Sequence, residues 1–116
     1  MSLILYHNPR CSKSRQGKLI LEENKVKFET KLYLINPLSE LELKEIIENF
    51  LDDPVLLVRT KEKLFKDLNI KIESLSNKNK VMKLIQKYPV LMERPLLTSP
   101  EKTIVGRPPE NFFEFI

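Results

Sequence analysis

The residues best suited to chemistry lie in one short stretch near the start of the chain, the nonapeptide HNPRCSKSR at positions 7–15. It contains the only cysteine and the only histidine of the sequence, Cys11 and His7. A cysteine is nucleophilic as the thiolate, and nearby positive charge favours the thiolate over the thiol. Arg10, Lys13 and Arg15 supply such charge on both sides of Cys11. The stretch is therefore a candidate thiol active site.

The elements on either side should place this cysteine at a strand-to-helix turn. Residues 2–6 (SLILY) predict a short apolar strand, and residues 12–24 can form a helix. At a helix start, unpaired backbone N–H groups and the positive end of the dipole favour a thiolate. The alternative is a buried structural cysteine, the commoner role of a lone cysteine. The basic and polar neighbourhood favours the reactive cysteine, because perturbed groups cluster at functional sites.

The next segments predict a parallel strand and then a helical insertion. Residues 25–34 alternate in polarity and predict a half-buried strand, which would complete a βαβ unit with a right-handed crossover. Ser39 and Glu42 form a capping box before a helix that should bury Leu43, Ile46, Ile47 and Phe50. Further helices are predicted over residues 60–68 and from Ser76 or Asn77 to Tyr88.

The last part of the chain predicts two strands and a helix. Residues 96–98 and 103–105 should pair as an antiparallel hairpin around a proline-containing turn. Pro108 and Pro109 can start a final helix, which is expected to dock through Phe112, Phe113, Phe115 and Ile116. Together these segments predict one α/β domain over residues 1–116 with a mixed four-stranded sheet. Along the chain the elements follow the order βαβ and then ββα, with the helical insertion between them at about residues 39–88.

Composition narrows the class of protein. A chain of 116 residues with 41% hydrophobic residues can bury a core, and one cysteine cannot form an intramolecular disulfide. With no signal segment and no apolar run near the roughly 20 residues that span a bilayer, a cytoplasmic protein without a membrane segment is expected. The net charge of +4 and the lack of an aromatic-interleaved basic stripe disfavour nucleic-acid binding. One histidine and one cysteine do not make a metal site. We expect a monomer.

Four segments together resemble the glutaredoxin-coupled arsenate reductase family, which has a thioredoxin fold. They are YHNPRCSKSR at 6–15, Arg59, ERPLL at 93–97 and GRPPE at 106–110, and the resemblance covers essentially the whole chain. It implies that Cys11 is the nucleophile that attacks an oxyanion. It also implies an oxyanion site of three arginines, Arg59, Arg94 and Arg107. Pro95 matches the family's cis-proline facing the cysteine. The supporting positions of the family match His7, Asn8, Ser14 and Arg15.

The lone cysteine constrains the reaction that the resemblance implies. Reduction of arsenate takes two electrons, and the position of a CxxC resolving thiol is occupied by Ser14. External thiols must finish the cycle, so glutathione is expected as co-substrate and a glutaredoxin as partner, with no bound cofactor. Arsenate is a tetrahedral anion that arginines and a helix N-terminus can bind.

Several alternatives stay open on the sequence alone. Arg59 could instead form an ion pair with Glu62. The Ser14 hydroxyl could donate to the Cys11 thiolate or satisfy a backbone group as an ordinary first-turn serine. His7 could tune the thiolate, be solvent-exposed or bond the backbone. For the whole protein, the alternatives are an Spx-like redox or transcription regulator that binds RNA polymerase, and a reductase of another glutathione-linked substrate.

Overall fold

The computed structural model describes residues 2–116, which form a four-stranded sheet, four α-helices and four 3-10 helices. The strands are Ile4–Tyr6 (β1), Glu29–Lys31 (β2), Leu96–Thr98 (β3) and Thr103–Val105 (β4). The α-helices are Ser12–Glu23 (α1), Glu40–Glu48 (α2), Lys63–Asp67 (α3) and Lys78–Lys87 (α4). The 3-10 helices are Pro54–Leu57, Ile72–Ser76, Pro89–Leu91 and Pro109–Phe115.

The strand order in the sheet is β2-β1-β3-β4. β1 pairs parallel with β2, with Leu5 opposite Thr30, and antiparallel with β3, where Leu5 faces Leu97. β3 pairs antiparallel with β4. The predicted mixed sheet, the parallel βαβ pairing and the hairpin at 96–105 are therefore confirmed.

The chain divides into two compact units, and the first carries the sheet. It comprises the residues up to Asn36 together with Arg94–Ile116. Its buried apolar cluster joins residues from β1, α1, the hairpin and the last 3-10 helix. The members are Leu3, Leu5, Leu21, Leu97, Ile104 and Phe112. Burial of such side chains contributes roughly 1.5–3 kcal/mol each, so this cluster is the main stabilising feature of the unit.

Two glycines let the last 3-10 helix approach closely in this first unit. A Cβ atom on Gly17, in α1, would lie 2.8 Å from both the Phe112 ring and Cγ of Pro95. A Cβ atom on Gly106, just after β4, would lie 2.7 Å from the same two groups. Phe112 and Pro95 thus occupy the space that side chains at positions 17 and 106 would need. Any larger residue at either position must displace them.

The second unit, Pro37–Glu93, contains the helical insertion. The predicted capping box is present, because Ser39 Oγ accepts from the Glu42 N–H and the Glu42 carboxylate accepts from the Ser39 N–H. The predicted apolar face of α2 is buried, and so are Val81 and Ile85 of α4. Asn77 caps α4 by accepting from the Lys80 N–H. The prediction that residues 1–116 form a single domain stays a prediction.

The predicted strand over residues 25–34 is shorter in the structure, where β2 spans Glu29–Lys31. β2 is an edge strand whose partner β1 offers only Ile4–Tyr6 for pairing, so the ladder cannot extend. After β2 the chain turns, with the Asn36 N–H donating to the Leu32 carbonyl. The alternation therefore marks which side chains face the core, Val26 and Phe28, more than it marks the length of the strand.

The expected docking of the C-terminal helix is only partly right. Phe112 is fully buried and Phe115 packs on the core, but Phe113 and Ile116 are half exposed, at 49% and 50%. The segment is a 3-10 helix, in which residues three apart share a face. Pro109, Phe112 and Phe115 form the inward face, so Phe113 and Ile116 fall on another one. The prediction that these two residues dock was wrong.

No helix within residues 2–116 has both the length and the apolar character needed to cross a membrane.

Candidate active site

Cys11 lies at the N-cap position of α1, directly after the loop that leaves β1. Its backbone is extended, with φ −98° and ψ 125°, and its carbonyl accepts from the Arg15 N–H. The preceding loop is closed by the Cys11 N–H donating to the Asn8 carbonyl at 3.0 Å. The Asn8 side chain accepts from the Arg10 N–H at 3.1 Å. The strand-to-helix placement predicted for the cysteine is therefore present.

Arg107 brings a guanidinium group to the sulfur from the far end of the sequence. Its Nη2 donates to Cys11 Sγ at 3.4 Å, and its Nε donates to the Arg94 carbonyl at 2.8 Å. The two bonds fix the guanidinium at two points, so that it faces the sulfur in a defined orientation. The Arg94–Pro95 peptide bond is cis, as is Arg107–Pro108.

The surroundings of Cys11 favour its thiolate. Partial burial raises the pKa of the thiol, but this effect is outweighed. The Arg94 side chain donates to the sulfur, the Ser14 backbone N–H faces it, and the charges of Arg94 and Arg107 act in the same direction. The pKa of Cys11 is therefore below the usual value of a cysteine thiol. The reactive interpretation of the cysteine has a physical basis in these groups.

His7 and Ser14 form a buried pair beneath the loop. His7 is 5% exposed, and its Nδ1 lies 2.7 Å from Ser14 Oγ. Burial, followed by the charges of Lys18 and Arg15, lowers the pKa of His7, and Glu22 opposes this weakly. The imidazole is therefore held neutral. The solvent-exposed alternative for His7 was wrong.

Ser14 contributes to the site in two ways. Its hydroxyl oxygen accepts from the Asn8 N–H at 3.0 Å, and the same hydroxyl faces His7. The hydroxyl thus has two hydrogen-bond partners, His7 and the Asn8 N–H. The contribution of Ser14 to the thiolate comes from its backbone N–H, one of the free donors of the first helical turn. The backbone-satisfying alternative for its hydroxyl is thus present.

The cations beside Cys11 differ in their contacts. Arg15 braces the loop, because its Nη1 donates to the Pro9 carbonyl at 2.8 Å. Arg10 and Lys13 are exposed, and over residues 2–116 no ion pair involves either of them. The first turn of α1 also holds no acidic residue, although acidic residues are favoured there. The chain around Cys11 therefore carries positive charge that carboxylates of the described residues do not neutralise.

Arg59 belongs to the second unit, where carboxylates hold it. Its Nη1 lies 3.0 Å from Glu62 Oε2, and its Nε lies 3.7 Å from Glu93 Oε1. Its backbone N–H donates to the Leu91 carbonyl at 2.8 Å. The ion pair with Glu62 that the sequence offered as an alternative is present, and the role of Arg59 in oxyanion binding stays a prediction.

One residue near the site was not singled out from the sequence. The Asn111 side-chain nitrogen donates to the Val105 carbonyl at 3.1 Å and to the Arg107 carbonyl at 3.2 Å. An exposed asparagine in a polar segment carries no sequence signal for such a role. Among the described residues, no group of three histidine, cysteine or acidic side chains could hold a metal ion.

Comparison with known proteins places the chain in a family. The sequence model described as ArsC family matches residues 6–115, almost the entire chain. The chain belongs to the ArsC family. A protein of Haemophilus influenzae named arsenate reductase is 38% identical and covers 100% of both chains. A protein of Bacillus anthracis named global transcriptional regulator Spx 2 is 32% identical, over 98% of this chain and 86% of that protein.

The solved structures agree with this ArsC-family assignment. The structure named arsenate reductase from Vibrio cholerae is 31% identical to this ArsC-family chain. The two superpose with a TM-score of 0.82 over 100% of this chain and 98% of the other. The predicted thioredoxin-like fold, with a helical insertion between the second and third strands, is confirmed.

Proposed function

We propose that this ArsC-family protein is an arsenate reductase in which Cys11 is the nucleophile and external thiols complete the reaction. The observation that carries the proposal is the contact of Arg107 Nη2 with Cys11 Sγ at 3.4 Å. A structural cysteine needs no cation on its sulfur, whereas a nucleophile that must be a thiolate does. The relatives named arsenate reductase supply the substrate class.

The same cations suit a tetrahedral oxyanion. Arg94 and Arg107 present planar donors, which match the oxygens of such an anion, and the backbone N–H groups at the start of α1 add further donors. In the proposal Arg94 and Arg107 bind arsenate, and a role for Arg59 as a third ligand stays a prediction from the family resemblance. Pro95 lies between Arg94 and the sheet, and His7, Asn8, Ser14 and Arg15 support the loop.

The first chemical step is attack of the Cys11 thiolate on arsenic. A sulfur–arsenic bond forms, and a hydroxyl group of arsenate leaves as water after taking up a proton. Arsenic is still As(V) in this adduct. The positive groups that hold the thiolate also hold the anion, so two negative partners meet without the repulsion they would have in water.

The second step needs a thiol from outside the chain, because Cys11 is the only cysteine. A glutathione sulfur attacks Cys11 Sγ, a disulfide forms, and the electron pair of the sulfur–arsenic bond passes to arsenic. Arsenite, As(III), is released, and the thiol proton ends on its oxygen. A glutaredoxin then reduces the mixed disulfide and restores Cys11. This chemistry suits the reducing cytoplasm, and it would serve arsenic detoxification.

The test is a coupled assay with glutathione, glutaredoxin, glutathione reductase and NADPH. Wild-type protein should oxidise NADPH in an arsenate-dependent way, and Cys11→Ser should not, since serine is not ionised near neutral pH. Asn24→Ala, at the opposite end of α1, is a control for general damage. Mass spectrometry after a turnover without glutaredoxin should find glutathione on Cys11. Absence of arsenate-dependent turnover by the wild-type protein would refute the proposal.

A regulator is the second candidate, and the similarity to the Spx proteins favours it. A regulator of this kind would bind RNA polymerase without turnover. Affinity capture from a bacterial extract would test it: recovery of polymerase subunits, together with an inactive coupled assay, would replace the reductase proposal.

A further inference from the structure

The structure points to one more residue that controls the site, although it contacts neither the sulfur nor the oxyanion position. We infer that Asn111, in the C-terminal 3-10 helix, is a positioning residue that holds Arg107 against Cys11. The inference deepens the proposed function, and the expected effect of Asn111 on arsenate reduction rests on that proposal. The expected effect of Asn111 on the ionisation of Cys11 does not rest on it.

The first step in the inference is the pair of bonds that Asn111 makes. Its side-chain nitrogen donates to the Val105 carbonyl at 3.1 Å and to the Arg107 carbonyl at 3.2 Å. Both partners are acceptors, so the group facing them is the NH₂ end of the amide, which carries two protons to donate. These carbonyls lie on either side of Gly106. The amide therefore ties the end of β4 to the residue that carries the guanidinium.

The second step is that the segment tied by Asn111 reaches the sulfur directly. Arg107 donates to the Arg94 carbonyl through Nε and to Cys11 Sγ through Nη2. The Gly106 N–H donates to the Pro95 carbonyl at 2.8 Å. A displacement of the Arg107 backbone would change both of its guanidinium bonds. The bonds are directional, so a small movement weakens them.

The third step is that Asn111 is itself well anchored. The next residue, Phe112, is fully buried and packs at Gly17, Gly106 and Pro95. The Asn111 N–H donates to the Pro108 carbonyl at 3.0 Å. The side chain of Asn111 is exposed, so its bonds contribute little to the core. An anchored backbone with an exposed amide that bonds two carbonyls is suited to fixing the path of the segment between them.

The test measures the pH dependence of iodoacetamide alkylation, for which Cys11 is the only thiol in the chain. Asn111→Ala removes both bonds, and Asn111→Leu removes them at nearly unchanged volume. Both variants should lower the thiolate-to-thiol ratio of Cys11 about two- to threefold, because Arg107 is less well held, and the midpoint of the profile should rise accordingly. Arsenate kcat/KM should fall by a similar factor.

Asn24→Ala is the matched control. Asn24 also donates from its side-chain nitrogen to a backbone carbonyl, that of Ile20, at 2.8 Å, and it lies at the other end of α1. Its variant should lose similar stability in a urea titration and leave the alkylation midpoint unchanged. If both Asn111 variants keep the wild-type midpoint, the inference is wrong, whatever the arsenate assay shows. If the midpoint moves but no variant or wild-type protein reduces arsenate, the proposed function fails and the positioning role stands.

Discussion

The contact between Arg107 and Cys11 makes a quantitative prediction for Arg107→Ala. At the observed 3.4 Å, a unit charge pair is worth about 1.2 kcal/mol in a medium with the dielectric constant of water. Because both side chains are partly exposed and solvent screens the pair, we take this value as the one to test. It corresponds to about an eightfold fall in the thiolate-to-thiol ratio at any pH where both forms exist.

The assay for this prediction is again the pH profile of Cys11 alkylation. An eightfold change in the ratio moves the midpoint upward by about 0.9 pH unit. The midpoint is the right quantity, because the intrinsic nucleophilicity of a thiolate rises as its pKa rises and would mask part of the change in a single rate. Arg107→Lys keeps the positive charge but loses the planar, bidentate guanidinium group. Its alkylation midpoint should therefore lie close to that of the wild-type protein, whereas its affinity for arsenate should stay low.

The control removes a charge elsewhere in the same unit. Lys102→Ala also lowers the net charge by one, but Lys102 pairs with Glu114 in the described structure. Its profile should match that of the wild-type protein. A shift of the Arg107→Ala midpoint that is no larger than the Lys102→Ala shift would show that the guanidinium does not act on the sulfur, and the electrostatic account of the site would be refuted.

Three further predictions concern packing, pH and the co-substrate. Gly106→Ala should lower the free energy of unfolding by about 1–3 kcal/mol in a urea titration, because its Cβ would lie 2.7 Å from Phe112 and Pro95, and an unchanged midpoint would contradict the close packing. The pKa of His7 is lowered, so the folded protein binds fewer protons than the unfolded chain below pH 6.5, and stability should fall as pH falls through that value. His7→Asn keeps a hydrogen-bonding group beside Ser14 but does not titrate, so its stability should depend less on pH in this range. Equal slopes of unfolding free energy against pH for the variant and the wild-type protein would contradict the role of His7. The double variant Arg10→Glu/Lys13→Glu reverses two exposed charges near Cys11 and should raise the KM for glutathione about two- to tenfold at low salt. The control double variant Lys25→Glu/Lys27→Glu should leave this KM, measured from initial rates, unchanged.

The elements that the sequence predicted well are those with local signals. The hairpin of β3 and β4 matches residue for residue, because β-branched and apolar runs flank a turn with Pro100 at its second position. The capping box at Ser39 marks the start of α2 for the same local reason. β2 was predicted too long, since its pairing length is set by β1 and not by its own alternation.

In the candidate site, too, the residues with local sequence signals were predictable and the others were not. A strand-to-helix turn and nearby cations identify Cys11 from its own sequence neighbourhood. No spacing rule brings Arg94 and Arg107 to the cysteine, and that expectation came from resemblance alone. Asn111 has no sequence signal, because its role depends on how close its side chain lies to the Val105 and Arg107 carbonyls, which is a tertiary feature. The second face of the 3-10 helix, with Phe113 and Ile116, could not be foreseen without knowing that the helix has three residues per turn.

The large sequence separation between Cys11 and Arg107 also affects when, during synthesis, the cysteine acquires its low pKa. Cys11 and Arg107 are 96 residues apart in sequence. At about 5–20 residues per second, a ribosome needs about 5–20 s to add the second after the first. For most of that interval neither Arg94 nor Arg107 has been made, so the cysteine lacks the two guanidinium groups that lower its pKa in the folded protein. The full effect of these groups on the sulfur requires β3, β4 and the segment that carries Arg107 to be in place. We therefore expect Cys11 of the nascent chain to be alkylated more slowly near neutral pH than Cys11 of the folded protein.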